Sequence, residues 1–284
     1  MIAFAVASGA AAPFWISLPL SMLLLLAAQR SFQTLVHDSS HFFYSARPKR
    51  NDILANWLCA GWIGMEVAAY RKVHLQHHAH NGSAKDPEHT SMTTVRDEGG
   101  MAAMIARYVF GMEALRLVRK YFFQPSPAGK RSAGPGKGPL AKLLGMTHIA
   151  VTQVLLLAAM AAAGVWWLYP LWLYLALSWN PLLSRLRFLA EHPGEADATV
   201  TTLASWLERA FFAPQNFNYH CEHHGWPLVQ PYRLVLVHRH LRDERRFFET
   251  RPELVARSFA GTLAAQVCDS RAVEGDLEQG AGAR

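Results

Sequence analysis

The chain has 284 residues, of which 51% are hydrophobic and only 17% are charged. Soluble globular proteins usually contain roughly 25% charged residues, so the composition favours a membrane protein. The net charge of +7 is dispersed along the chain rather than concentrated in one block, which argues against a nucleic-acid partner.

None of the first 29 residues is charged. Such a stretch exceeds the roughly 20 apolar residues that cross the hydrocarbon core of a bilayer. A cleaved secretory signal would carry basic residues before its apolar core, and none precedes this one. We therefore predict one or two membrane passes in this region, interrupted near Pro13.

Two further apolar stretches follow along the chain. Residues 53–69 contain Glu66 as their one charged residue and predict a short span, a re-entrant helix or a buried helix. Residues 143–180 contain no lysine, arginine, aspartate or glutamate and are long enough for two crossings. They predict a helix over 143–165, a turn near 166–170 and a returning helix over 171–183.

The 28 lysines and arginines lie in residues 30–50, 71–142 and 185–284. If the turn near 166–170 faces outward, these segments share one side, which the positive-inside rule makes cytoplasmic. We therefore predict an all-α integral membrane protein with about four spans, which form a stalk below a helical cytoplasmic cap. Residues 1–272 would form this single domain, with a loop over 121–139 and a disordered tail over 273–284. Three cysteines without paired spacing indicate a reducing compartment.

Eight of the 14 histidines lie in three clusters, HDSSH at 37–41, HLQHH at 74–78 and HCEHH at 220–224. Offsets of three or four residues place side chains on one face of an α-helix. Three such helices meeting at one point would bring together His37, His41, His74, His77, His78, His220, His223 and His224. Imidazole suits iron, copper, nickel or zinc better than magnesium or calcium, and this many ligands suits two ions.

Histidine clusters also have simpler explanations. A single buried histidine is usually a hydrogen-bonded packing residue, and a histidine-rich tract can bind metals adventitiously. Neither explanation accounts for an H-x-x-H-H spacing that occurs twice, far apart in sequence and each time beside a membrane-associated segment. The pattern therefore favours a shared metal site.

The clusters and their surroundings resemble the histidine boxes of the membrane fatty acid desaturase and hydroxylase superfamily. The resemblance extends through AYRKVHLQHHAHNGSAKDP, RFLAEHPG and NFNYHCEHHGWPLVQPYRL, and covers residues 29–241. It implies a cytoplasmic centre of two iron ions, O2 as the oxidant, and membrane helices below a catalytic cap. It also implies that His192, in RFLAEHPG, is a ninth ligand, which spacing alone does not indicate.

Ligating histidines usually donate their second ring N–H to a carboxylate or a carbonyl group. Acidic residues close to the histidines are candidates for this role, namely Asp38, Asp86, Glu191 and Glu222. Asn216 and Asn218 could orient the third cluster or hold a metal-bound water, or they could be capping or solvated residues. Arg187, near the end of a membrane helix, is expected to pair with an acidic neighbour.

The resemblance implies removal of hydrogen from an unactivated C–H bond of a lipid or fatty-acyl chain. A fatty acid desaturase is the favoured interpretation, although a hydroxylase or a ketolase could use the same centre. The three residues between His37 and His41 are similar to the first box of acyl-lipid desaturases and favour acyl-lipid, acyl-carrier or free acyl substrates. We predict substrate contacts with Trp62, Met65, Tyr70 and Trp179, each of which could instead pack in the core.

The electrons are expected from outside the chain. It has no G-x-G-x-x-G dinucleotide motif and no cysteine cluster for an iron–sulfur centre. An external donor of the ferredoxin or cytochrome type, supplied by its own reductase, would dock on the basic cap.

Two alternative functions come from other classes. A membrane zinc hydrolase would need a general-base glutamate in a spacing such as H-E-x-x-H, which the sequence lacks. A metal transporter would need ionisable residues within its spans, where His148 stands almost alone. We predict an interhelical hydrogen bond for His148. His80 and His89 are expected behind the metal ligands or on the surface, and His238 and His240 in the cap or on the surface.

Overall fold

The computed structural model describes residues 2–3, 5–6, 13–88, 95, 97–123, 145–192 and 199–268. Helices dominate these residues, and the sheet found among them has two strands of two residues each. The predicted all-α class is therefore confirmed. The predicted tail over 273–284 lies outside the described residues, as does the loop predicted over 121–139 apart from its first three residues, which belong to a helix.

Helix α1, Phe14–Ser40, joins the apolar N-terminal region to the first histidine cluster. It begins directly after Pro13, where the sequence predicted an interruption. Its first half exposes apolar side chains such as Trp15 and Leu23, whereas most residues from Leu25 onwards are buried. Within the described ranges, α1 is the one helix that is long and apolar enough to cross a membrane. The predicted count of about four spans stays a prediction.

The predicted apolar segment at 53–69 is a broken helix. Helix α2, Pro48–Ala55, continues through a π-helical turn, Asn56–Ala60, and a 3-10 turn, Gly61–Ile63. Gly64 then adopts a left-handed conformation with φ of 71°, which glycine allows without steric cost. Helix α3, Val67–His80, starts a new direction and carries the second histidine cluster.

A later helix packs against this broken segment. Helices α4, Met101–Val109, and α5, Met112–Phe123, come first in sequence, and α6, Thr147–Ala162, packs against the 3-10 turn. His148 of α6 hydrogen-bonds through Nε2 to the carbonyl oxygen of Met65, at 3.0 Å. The interhelical hydrogen bond predicted for His148 is therefore confirmed as a bond to the turn that links two helices.

The apolar hairpin predicted over 143–183 is present with different boundaries. Helix α6 ends at Ala162, and helix α7 spans Leu168–Leu177. The turn therefore comes about three residues earlier than predicted, where Gly164 takes a φ of 72°. Pro170 does not mark the turn, because the first turn of a helix tolerates a residue without an N–H.

The returning helix is divided at Ser178. Its backbone leaves the helical region, with φ of −124° and ψ of −71°, and helix α8 follows as Trp179–Glu191. Pro181 lies three residues further on and cannot donate the hydrogen bond that would continue α7. Helix α8 leads from the apolar hairpin to His192, which is its C-terminal cap.

Buried side chains join α1 to this hairpin. Gln29 donates from Nε2 to the carbonyl oxygen of Trp172, at 2.8 Å. Trp172 itself is fully buried in a cluster that includes Leu25, Leu168 and Leu175. The histidine-bearing end of α1 is thereby fixed relative to the hairpin.

The last part of the described chain wraps around the third histidine cluster. Strand β1, Thr201–Thr202, pairs in parallel with β2, Val255–Ala256. Between them lie α9, Trp206–Phe211; α10, His220–Gly225; and α11, Pro231–Arg239. Helix α12, Phe259–Cys268, follows β2.

Candidate metal centre

Three helices and one helix cap deliver the nine predicted histidines to a common region. Helix α1 carries His37 in its last turn and ends at His41, while α3 and α10 carry the second and third clusters. His192 comes from the C-terminus of α8. The predicted placement of each cluster on one helix is therefore confirmed, except that His41 is the cap of its helix.

Five of these histidines form one group, in which one ring nitrogen of each lies within 4.8 Å of those of the others. We call it the five-histidine group; its members are His37, His41, His74, His78 and His223. The Nε2 atom of His74 lies 2.9 Å from Nε2 of His41 and 3.0 Å from Nε2 of His78. The Nε2 atom of His78 lies in turn 2.9 Å from Nε2 of His223.

A second group of three meets the same distance criterion, and a fourth histidine adjoins it. We call the three-histidine group His77, His192 and His224. The Nε2 atom of His220 lies 2.9 Å from Nε2 of His192, and the ring of His220 lies 4.5 Å from that of His224 between centroids. The two groups adjoin, because the rings of His78 and His224 stack with centroids 4.3 Å apart.

Hydrogen bonding alone does not account for the five-histidine group. Each ring nitrogen carries either a proton or a lone pair, directed along one line. Four Nε2 atoms in a row can therefore form at most two such bonds, yet the row from His41 to His223 contains three contacts. A cation among the lone pairs satisfies all of them at once.

Two further nitrogen atoms support the fit of a metal ion. The Nε2 atoms of His37 and His224 are buried and have no hydrogen-bond partner within the described part of the chain. Metal–nitrogen bonds of about 2.0–2.1 Å at right angles would place two ligand nitrogens about 3 Å apart, which matches the Nε2 separations. The histidine groups could therefore hold metal ions.

Burial favours the neutral form of many of these imidazoles. Desolvation, followed by repulsion from neighbouring histidines, lowers the pKa of His74, His220, His223 and His224 well below 6.5. Burial also lowers the pKa of His78 to about 3. Neutral imidazoles present the lone pairs that a metal ion requires.

Three predicted carboxylates lie behind histidines of the two groups. Asp86 Oδ2 accepts a hydrogen bond from His77 Nδ1 at 2.8 Å, and both side chains are buried. Asp38 Oδ1 lies 3.2 Å from His37 Nδ1. Glu191 Oε2 lies 3.5 Å from His220 Nδ1, and burial raises the pKa of Glu191 to about 7.

Comparison with known proteins identifies the family. The family model described as fatty acid desaturase matches residues 13–251. This chain belongs to the fatty acid desaturase family. Searches of curated proteins and of solved structures found no significant match. The chain is therefore a desaturase-type oxidoreductase with a histidine cluster that could hold metal.

Arg187 of this desaturase has the partner that the sequence predicted. Its Nη1 atom lies 3.3 Å from Glu191 Oε2, one helical turn along α8. Its guanidinium also lies over the ring of Phe217, 3.9 Å from the centroid, and that ring packs 4.2 Å from the ring of His37. Arg187 thus contacts Glu191, which lies beside His220, and Phe217, which packs on His37 of the five-histidine group.

The other predicted partners in the desaturase lie away from the histidine groups. Asn216 accepts a hydrogen bond from Arg209 at 2.7 Å, and Asn218 donates to the carbonyl oxygen of Thr202 at 2.9 Å. Glu222 accepts a hydrogen bond from His238, and within the described residues neither side chain hydrogen-bonds to a histidine of the two groups. These contacts fit a structural role for Asn216, Asn218 and Glu222 better than direct support of a metal ligand.

His238, predicted to lie in the cytoplasmic cap or on the surface, is buried. Only 4% of this residue is exposed, because α11 turns it towards α10. No local spacing signals the contact, since its partner Glu222 lies 16 residues earlier. His240 is half exposed and paired with Glu244, as expected of a surface residue, and His80 is exposed. His89 lies outside the described residues.

Two further residues at the centre were not predicted. Glu88 Oε2 lies 3.6 Å from His77 Nδ1, and its position two residues after Asp86 would have been the signal. Arg71 donates to the carbonyl oxygens of Ser39 and Ser40 and to Asp52, and so joins α3 to the C-terminus of α1. This contact fixes the first and second histidine clusters relative to each other.

A cavity of about 790 Å³ lies one side chain away from the three-histidine group, whose histidines are not part of its lining. Its lining includes Phe188, whose ring stacks on that of His192 with centroids 4.5 Å apart. Of the four predicted substrate contacts, Met65 lines this cavity. Trp62 and Trp179 pack against the apolar cluster between α1 and α7.

The fourth predicted substrate contact, Tyr70, lies at the five-histidine group. Its ring stacks on His74 with centroids 5.4 Å apart and planes 16° apart. Since Tyr70 does not line the cavity next to His192, its role as a substrate wall stays a prediction.

Replacing Asp86 with alanine should weaken metal binding by ~10–100-fold, because the carboxylate orients His77 and raises its basicity. Asp86→Asn keeps an acceptor oxygen, so its metal affinity should fall less than that of Asp86→Ala. Iron retention against a chelator, measured on the detergent-purified protein, tests both variants. Glu249→Ala, at an exposed residue of the cap, is the control; equal iron retention in Asp86→Ala and the control would contradict the assignment.

The metal-free desaturase should lose stability as the pH falls below about 6.5. The unfolded chain then takes up protons on histidines that the fold keeps neutral, and each buried histidine costs about 1.4 kcal/mol per pH unit. Unfolding midpoints at pH 7.5, 6.5 and 5.5 measure this slope. His220→Gln should flatten it and His240→Gln should not; a slope that His220→Gln leaves unchanged would contradict the prediction.

Proposed function

We propose that the chain is an O2-dependent di-iron fatty acid desaturase of the membrane, with its active site on the cytoplasmic face. One iron would be held by the five-histidine group. The second would be held by the three-histidine group together with His220. This assignment uses the nine residues His37, His41, His74, His77, His78, His192, His220, His223 and His224.

The convergence of nitrogen atoms is the observation that carries this proposal. Four Nε2 contacts of 2.9–3.0 Å link histidines from α1, α3, α8 and α10. Nine imidazoles exceed the roughly three protein ligands of a catalytic zinc site and suit two ions. The family adds that its members act on fatty acids.

Two iron ions, once bound and reduced, would supply the reduction of O2 and the oxidation of a C–H bond. The chain's own residues prepare this chemistry. Asp86 and Asp38 orient His77 and His37, and Arg187 holds Glu191 behind His220. Burial of the cluster excludes bulk water and keeps the imidazoles neutral.

The cavity next to His192 is the proposed path of the acyl chain. Apolar residues of the membrane-associated segments, Ile63, Met65 and Ala176, line part of it. Phe188 and Glu88 also line it, and these two side chains lie against His192 and His77, respectively. A chain that enters between the helices would thus bring one of its carbons towards the histidines. Placement of that carbon would decide between desaturation and hydroxylation or ketone formation, for which the same centre suffices.

The electron donor is proposed to be a separate ferredoxin or cytochrome that docks on the cap. Residues 233–257 contain seven arginines and four acidic residues, and all seven arginines are exposed. This excess of positive charge would attract an acidic redox protein and raise its association rate at low ionic strength. The segment directly follows α10, which carries three of the histidines.

Metal analysis and product analysis test the proposed function together. The full-length protein, expressed in iron-containing medium and purified in detergent, should contain two iron ions per chain. With reductant, a donor protein and O2, it should convert acyl lipids, acyl carriers or free fatty acids to products two mass units lighter. Products 16 mass units heavier would instead identify a hydroxylase, and stoichiometric zinc with hydrolysed substrate would contradict the oxidoreductase proposal.

A further inference from the structure

Glu222 lies within the third histidine cluster but faces away from the histidines around it. At 100° per residue, its side chain projects about 200° around the helix from both His220 and His224. It is fully buried, with 0% of its surface exposed. A carboxylate in such a position requires hydrogen-bond partners, since burying one without them is costly.

Those partners come from two other segments. His238 of α11 donates from Nδ1 to Glu222 Oε1 at 2.5 Å. Thr201 of β1 donates its hydroxyl to Glu222 Oε2 and accepts at 3.2 Å from the backbone N–H of Cys221. We call Thr201, Glu222 and His238 the rear triad, because they lie behind the helix that presents the histidines.

Each outer member of the rear triad is itself held in place. His238 is buried, and its ring packs 5.1 Å from the ring of Phe248 and 5.2 Å from that of Tyr219 between centroids. Thr201 is 0% exposed and is paired in the sheet with Val255. The triad therefore connects α10 to two fixed elements on its far side.

Helix α10 needs such a connection. It has six residues, and isolated helices shorter than about 12–15 residues are marginal even in favourable sequences. Its first residue also lacks a side-chain cap. Tertiary contacts must therefore fix the rotation of α10, and a rotation of one residue would move each imidazole by about 100° around the axis.

We propose that the rear triad sets the rotation of α10 and that His238 is a positioning residue for the metal centre. This inference rests on the proposed function. Helix α10 supplies two of the four histidines proposed for the second iron, His220 and His224, but only one of the five proposed for the first. Loss of the triad should therefore release the second iron before the first.

Variants of His238 test this inference on the full-length protein purified in detergent, with iron per chain measured by mass spectrometry. His238→Ala should retain about one iron instead of two. The amide nitrogen of asparagine coincides with histidine Nδ1, so His238→Asn should retain about two. Glutamine places its amide nitrogen near the position of Nε2, so His238→Gln should resemble alanine. His240→Ala, at an exposed histidine of the same segment, should keep both irons.

The results separate this inference from the function on which it rests. Two irons in His238→Ala, or equal iron contents in the asparagine and glutamine variants, would overturn the positioning role while leaving the di-iron proposal intact. If the alanine variant fails to fold, the comparison of iron content between the asparagine and glutamine variants tests the positioning role. A wild-type protein without two irons would overturn the proposed function itself. Thr201→Val, which removes one hydrogen bond, should give a value between those of wild type and His238→Ala.

Discussion

Replacing His223 with alanine should reduce turnover below about one hundredth of the wild-type rate, since loss of a hydrogen-bond partner behind a ligand already costs ~10–100-fold. Its Nε2 atom lies 2.9 Å from that of His78, and it is one of the five-histidine group. Iron should fall from two towards one per chain. Helix content, measured by circular dichroism, should stay unchanged, because α10 keeps Glu222 and its partners.

His80→Ala is the matched control for this substitution. His80 also adjoins a histidine cluster, but it is exposed at the end of α3. It should retain both irons and the full rate of product formation. Wild-type turnover in His223→Ala would remove His223 from the ligand set and weaken the assignment of the five-histidine group.

Replacing Arg30 with methionine should destabilise the protein by about 3–5 kcal/mol, because it leaves several buried acceptors without their charged donor, at about 1–3 kcal/mol each. Arg30 is 2% exposed and lies in α1. It donates to the carbonyl oxygens of Phe211 and Phe212, at 2.8 Å each, and to Ser184 Oγ at 2.6 Å. Methionine fills the space but leaves these buried acceptors without donors.

Thermal unfolding in detergent measures this loss, and the midpoint should fall by roughly 10 °C or more. Arg209→Met is the control, because Arg209 is exposed on α9 and surface substitutions usually change stability by less than about 0.5 kcal/mol. Arg30→Lys retains the charge but cannot reach all the acceptors. Its unfolding midpoint should therefore lie between those of Arg30→Met and the control. A wild-type midpoint for Arg30→Met would show that other contacts hold α9 to α1.

The histidine groups could be predicted from sequence because helical periodicity carries the information. Offsets of three and four residues place His74, His77 and His78 along one helix whatever the rest of the fold does. His192 is different, since it is the cap of α8 and has no histidine neighbour in sequence. Its position depends on how α8 packs, so only the resemblance to a known family pointed to it.

Contacts between segments that are distant in sequence could not be predicted from the sequence alone. Proximity in sequence suggested Asp86 as a carboxylate partner for some ligating histidine, and the structure pairs it with His77, nine residues away. The same reasoning placed Glu222 beside the histidines, whereas its side chain faces Thr201 and His238. Proximity along a helix does not specify direction, and a carboxylate two residues from a ligand lies on another face of the helix.

Boundaries of the apolar helices were also less predictable than their existence. Hydropathy located the hairpin over 143–183, but the break at Ser178 and the turn at Gly164 depend on backbone conformation. The breaks in the segment after α2 likewise depend on backbone conformation, which hydropathy does not specify. Gly61 approaches α6 so closely that an added Cβ would lie 2.8 Å from Thr152 Oγ1, a constraint that becomes visible only when both segments are packed.

Because α1 is continuous, the length of its apolar half determines where His37 lies relative to the bilayer. One helix runs from the exposed Trp15 to His37, so in the proposed membrane enzyme its 1.5 Å rise per residue sets the height of the first imidazole above the hydrocarbon. Inserting a single residue midway would raise that imidazole and swing it by about 100°. Evolution could therefore lengthen this anchor to suit a thicker membrane only in steps that nearly restore the angle, such as seven or eleven residues.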